Sequence, residues 1–255
     1  MEKSIMYDKE NGLMLDLYGR DDAKAAIILI HGGGWFRGDK KPEKPLAEKL
    51  AKEDFLVVVP NYRLAPKDIF PAAKEDVLKV FEWLNASLYR FNGKIAAIGA
   101  SAGGNLAVEL ALAKGIPAAS WSGIIDLYDW TEEHQQVVPV MNQERTPKQT
   151  NGSDIDQTGK NDAFYKWFIL NYVDQNLELL KQADPLQRVS EKSGPLFLAN
   201  SIQEFVPLSG VYQLQQKLAE YGVPSEVKLI EGKRHGAAYV DEVYQTTLIF
   251  LQRYL

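Results

Sequence analysis

The segment Gly99-Ala100-Ser101-Ala102-Gly103-Gly104 constrains this chain more than any other. A short apolar run, Lys94-Ile95-Ala96-Ala97-Ile98, precedes it, and a helix-like run from Asn105 to Ala113 follows. A serine therefore sits where a strand turns directly into a helix, with glycines two residues to either side. Such a turn is tight. A side chain at either glycine would strike neighbouring backbone, and the serine itself is held in strain. The turn lifts the hydroxyl out of the sheet and leaves the Ala102 N–H at the positive end of the helix, where it can meet an oxyanion. Gly-x-Ser-x-Gly in a strand–turn–helix setting is the pattern of a nucleophile elbow.

The sheet that such an elbow requires is legible elsewhere. Ala25 to Ile30 and Phe55 to Val59 are continuous apolar runs, as expected of strands covered on both faces. Pro117 to Trp121, Pro195 to Ala199 and Val227 to Ile230 read as further strands. Pro42 to Lys52, Ala73 to Tyr89, Ser209 to Tyr221 and Val240 to Leu255 read as helices, and Val77, Val80, Phe81 and Leu84 recur at helical spacing. The alternation predicts an α/β fold with a mostly parallel central sheet and helices on both faces. From Trp130 to Gly194 the alternation stops. Met141 to Lys160 is polar and reads as a mobile loop. Asp162 to Val173 reads as an aromatic-rich helix that either caps a site or packs on the body. The expectation is one domain, 1–255, with a cap or lid insertion at about 130–194.

Composition narrows the function classes. A net charge of -5 argues against a nucleic-acid surface. With no cysteine, there is neither a disulfide framework nor a thiol nucleophile. Met1 to Asp8 lacks the apolar core of a signal peptide, and no apolar run approaches a membrane span. The simplest expectation is a cytoplasmic protein with no nucleic-acid or membrane partner. The sequence carries no signal for oligomeric state.

Three further motifs carry chemistry. His31-Gly32-Gly33-Gly34-Trp35 follows the first strong strand run, and its glycines let backbone N–H groups approach a ligand. Gly33, Gly34 and Ala102 are the candidate donors to an oxyanion. The loop lacks the Gly-Lys-Ser/Thr ending of a phosphate loop. A serine nucleophile needs a base, and the chain has three histidines. His31 reads as a brace of the glycine loop. His134, amid Glu132, Glu133, Gln135 and Gln136, reads as a solvated surface residue. His235 falls between the last strand and the terminal helix and is the candidate base. For the acid that orients it, Glu204 is the sole carboxylate in Asn200 to Pro207, with Asp184 and Asp126 as rivals. The aromatics Trp35, Phe164, Tyr165, Trp167 and Phe168 imply an apolar pocket, with Trp35 and Trp167 as expected substrate contacts.

With these residues the chain resembles the α/β-hydrolase superfamily. More narrowly, it is similar to bacterial carboxylesterases of the hormone-sensitive-lipase-like branch. The resemblance runs through His31 to Trp35, Asn61-Tyr62-Arg63-Leu64-Ala65-Pro66, Phe70 to Ala73, Gly99 to Asn105 and His235-Gly236, and spans nearly the whole chain. It implies the α/β-hydrolase fold and a small-molecule substrate, a short-chain acyl or aryl ester. Cleavage would pass through an acyl-enzyme on Ser101, with His235 and an acid, and with no metal or cofactor. It also implies an Arg63–Asp76 pair behind the glycine loop. An amidase of the arylformamidase type is the alternative chemistry. A ligand-binding protein on the same scaffold is the non-catalytic alternative, and the presence of His235 stands against it. Two positions depart from the family. Gln203 stands where such esterases commonly carry aspartate, with Glu204 one residue later. Ala100 precedes the serine where many have aspartate.

Overall fold

A computed structural model describes residues 2–141 and 161–255. Among the described residues there are eight strands: β1 (Glu2–Asp8), β2 (Leu13–Tyr18), β3 (Ala25–Ile30), β4 (Phe55–Pro60), β5 (Ile95–Ala100), β6 (Ala118–Trp121), β7 (Leu196–Ser201) and β8 (Ser225–Ile230). They form one sheet in the order β1-β2-β4-β3-β5-β6-β7-β8. The six strands from β4 to β8 in that order are parallel, while β1 and β2 add an antiparallel edge. The helices are α1 (Lys44–Lys52), α2 (Ala72–Asn85), α3 (Ala102–Lys114), α4 (Tyr128–Glu133), α5 (Asp162–Tyr172), α6 (Leu177–Ala183), α7 (Leu208–Glu220) and α8 (Val240–Gln252).

Side-chain alternation along the buried strands supplies both faces of the sheet. In β3, Ala26, Ile28 and Ile30 enter one core, with residues of α2, α3, α5, α6 and α7. Ala25, Ile27 and Leu29 enter the other, with Ala47 and Leu50 of α1 and Val243, Tyr244, Leu248, Phe250 and Leu251 of α8. This two-sided burial is why β3 and β4 read as unbroken apolar runs. Helix α3, directly after the elbow, is buried on nearly every side: eleven of its thirteen residues are buried, from Ala102 to Leu112. It is therefore the fixed post on which Ser101 stands.

The antiparallel pair β1–β2 has no counterpart in the sequence reading. Between β6 and β7 the described residues hold helices but no strand: α4, α5, α6 and a 3-10 turn at Pro185–Arg188, in agreement with the interrupted alternation. The polar stretch expected to be a loop lies, from residue 142 onward, outside the described residues. The predicted Arg63–Asp76 pair is present: Asp76 is fully buried and receives the Arg63 backbone N–H at 2.8 Å and its guanidinium at 2.7 to 3.0 Å.

Candidate active site

Ser101 adopts φ 57° and ψ −122°, a conformation that costs a non-glycine residue about 1–3 kcal/mol and persists because both flanks are locked. Its N–H donates to Trp121 O at 2.8 Å and its carbonyl accepts the Asn105 N–H at 3.0 Å. The flanking glycines are forced by close approach. A Cβ on Gly99 would lie 2.1 Å from Gly103 O, and one on Gly103 would lie 2.1 Å from Ile30 O.

The glycine loop is built as tightly. Gly33 has φ +123°, and a Cβ there would fall 2.0 Å from Arg37 O. Its carbonyl accepts the N–H groups of Phe36 and Arg37, both at 3.2 Å. The N–H groups of Gly33, Gly34 and Ala102 donate to no acceptor among the described residues. His31 is buried beneath the loop, stacked on Tyr62 with ring centres 4.3 Å apart, and its Nδ1 lies 2.8 Å from Gly32 O. Burial pushes this histidine toward its neutral form. It braces the loop, as its position in the motif implied.

Opposite the loop, His235 Nδ1 donates to Glu204 Oε2 at 2.5 Å. Glu204 is fully buried, and its other oxygen accepts the Ser122 hydroxyl at 2.7 Å and the Ser201 N–H at 2.9 Å. Three donors thus converge on one carboxylate, which when ionised only accepts. Gln203 points outward and is exposed, its N–H spent on Gly232 O. The rivals are committed elsewhere. Asp126 takes the Ser209 hydroxyl and the Trp130 N–H. Asp184 takes the N–H groups of Leu127, Tyr128 and Leu186, and burial raises its pKa to about 6.

Ser122 is the residue that sequence reasoning missed. It follows β6 at φ 52°, and its N–H donates to Ala199 O at 2.7 Å. Its oxygen accepts the Gly236 N–H at 2.8 Å and lies 2.7 Å from the Tyr239 hydroxyl. One side chain thereby ties the acid, the histidine loop and the turn before α8 together. The only sequence signal was its place at the end of a strand beside the elbow.

Ser101, Ala100, His235 and Gly236 line one cavity of about 330 Å³ with Gly32, Gly33 and Gly34. Phe36, Phe164, Phe168 and Phe205 give it an aromatic wall, and Arg37 and Glu43 a charged one. Two expected substrate contacts need correction. Trp35 is fully buried, stacked 4.2 Å from Tyr172 in the core, because its positive φ of 61° turns the side chain away from the loop's N–H face. Trp167 lies behind the wall, edge-on to Phe36 at 5.0 Å, and does not line the cavity. Of the other expected aromatics, Phe164 and Phe168 line the cavity and Tyr165 is buried in the core, while Phe36 and Phe205 line it without having been singled out in the sequence. His134 is half-buried rather than solvated, stacked on Trp130 at 4.2 Å. No group of three or more histidine, cysteine, aspartate or glutamate residues among those described is arranged to hold a metal ion. No helix among them is long and apolar enough to cross a membrane.

Comparison with known proteins places this geometry. A versiconal hemiacetal acetate esterase of Dothistroma septosporum is 29% identical over 225 residues, covering 80% of this chain and 64% of that protein. Esterase LipC of Mycobacterium tuberculosis is 23% identical over 263 residues, covering 94% of this chain and 60% of that protein. The chain thus spans about three fifths of the length of these relatives. The crystal structure of an esterase from the bacterial hormone-sensitive lipase family superposes with a TM-score of 0.71 at 20% identity, covering 100% of this chain and 85% of that one. The family model described as BD-FAE matches residues 15–218. The chain has the α/β-hydrolase fold and belongs to the BD-FAE family.

Proposed function

We propose that this protein is a serine carboxylesterase of the hormone-sensitive-lipase-like kind, cleaving short-chain acyl or aryl esters through an acyl-enzyme. One observation carries the reading. A buried carboxylate engages Nδ1 of a histidine that shares a cavity with a serine on a strained strand-to-helix turn. The Gly236 backbone, 3.1 Å from Ala100 Cβ at its own Cβ position, brings the histidine loop over the elbow.

Each group then has a role. Glu204 fixes the His235 tautomer with the proton on Nδ1, so Nε2 is free to accept the Ser101 proton. Ser101 Oγ attacks the ester carbonyl. The N–H groups of Gly33, Gly34 and Ala102 hold the oxyanion, each such donor being worth about 10²–10³ in rate. His235 next gives the proton to the leaving alcohol. Water then repeats the sequence on the acyl-enzyme. Ser122 holds Glu204 in place. The α4–α6 excursion, through Phe164 and Phe168, serves as a cap on a single domain. The cytoplasm is the location that the sequence reading favours, and the working partner is the ester itself.

Turnover of p-nitrophenyl butyrate tests the reading. The wild type is expected to be active and Ser101→Ala to lose at least about 10⁴-fold in kcat. An inert wild type, or an alanine variant of equal activity, would refute it.

A further inference from the structure

Glu43 has no part in the chemistry above. It ends the 3-10 turn Lys41–Glu43 and stands at the N-cap of α1, yet its side chain does not bond the helix N–H groups. Its carboxyl has no hydrogen-bond or ion-pair partner among the described residues, and it lines the cavity that holds Ser101 and His235. Helix α1 lies beside α8, with Lys49 Nζ 3.8 Å from the Tyr244 ring centre and 3.9 Å from Asp241 Oδ1. The turn leading into α8 contributes Ala237 and Ala238 to the cavity wall, next to His235. Glu43 thus shares this cavity with the residues of the histidine loop. The aromatic residues of α5 lie toward Gly34, whose Cβ position is 3.4 Å from Phe168.

We propose that Glu43 makes this site selective for esters that carry a cation, which its carboxylate attracts within the aromatic-walled cavity. The inference rests on the esterase reading. A half-buried carboxylate without a partner is poorly compensated for the water it has lost. A substrate cation supplies it, and a phenylalanine face adds a cation–π contact. An alkyl group of the same shape supplies neither, and an anion is repelled. Arg37 also lines the cavity, but its guanidinium lies over Phe36, 5.1 Å from the ring centre, on the α5 side. Burial raises Glu43, to about 7. The preference should therefore strengthen as pH rises through about 7. Tyr62 and His31, behind the glycine loop, are both held neutral by burial. His235 acts on every ester alike and cancels in a ratio of two substrates.

The test compares kcat/KM for butyrylcholine with that for its uncharged isostere, 3,3-dimethylbutyl butyrate. In the wild type the ratio is expected to rise about tenfold between about pH 6 and about pH 8. In Glu43→Gln it is expected to stay flat, and a general loss of activity cannot mimic that. A flat wild-type ratio, or an equal rise in Glu43→Gln, overturns the proposal while leaving the esterase reading standing. A wild type that cleaves neither ester overturns both.

Discussion

Glu204→Gln separates orientation of the histidine from packing of its surroundings. The amide has one acceptor and one donor end, and Glu204 now accepts on both oxygens. With the amide oxygen toward His235, its NH₂ would meet the Ser201 N–H at 2.9 Å, donor against donor. With the amide flipped, its oxygen accepts from Ser201 and Ser122, and its NH₂ donates to His235 Nδ1. The second arrangement leaves no buried donor unpaired and prevails. It forces the histidine proton onto Nε2, so His235 can no longer accept from Ser101. The expected loss is about 10³–10⁴ in kcat, or about 4–5.5 kcal/mol of barrier, with KM nearly unchanged. Stability should change by less than about 1 kcal/mol, since the cavity stays filled and its donors stay met. Stopped-flow or steady-state turnover gives the first quantity and urea unfolding the second. A Glu204→Gln enzyme within tenfold of wild-type kcat would refute the reasoning, as would restoration of activity by adding Gln203→Asp.

Other expected outcomes follow from the same geometry. Ser122→Ala removes one donor from Glu204 and one acceptor from Gly236, and should lower kcat about 10–100-fold. Ser122→Thr, which keeps the hydroxyl, should recover most of the loss; equal loss in both would show that packing, not the hydroxyl, matters. Arg63→Met leaves Asp76 buried without its ion pair and should cost about 3–5 kcal/mol, read as a fall in urea midpoint. Asp184 has a folded pKa raised by burial to about 6, above its ordinary 3.8. Its contribution is therefore full below about pH 4 and is lost as pH rises through about 6, by about 3 kcal/mol. Asp184→Asn should be less destabilising relative to wild type at pH 7 than at pH 4.5; a gap independent of pH would contradict this.

Most of the sheet was legible because β3, β4 and β5 are buried on both faces and carry little but apolar residues. Strands β1 and β2 were not, since they form the antiparallel edge and mix Glu2, Lys3, Ser4, Asp8 and Asp16 with their apolar positions. The elbow and glycine loop were legible because backbone crowding permits only glycine at key points. Glu204 was legible by position alone. Ser122 belongs to no local motif; its importance arises from β6, β7 and the turn before α8 meeting in space. The aromatic residues misled at Trp35 and Trp167, because a ring near a site in sequence can as readily face the core, and only the φ of 61° decides it for Trp35.

The central claim is that Ser101 is the atom-bearing nucleophile, and covalent labelling tests it most directly. Treatment with a fluorophosphonate, followed by intact-mass and peptide mass spectrometry, should place one adduct on the peptide carrying Ser101 and abolish ester turnover in parallel. Ser101→Ala should take up none. An unlabelled wild type that still turns over ester, or an adduct elsewhere that accompanies inactivation, would contradict the account.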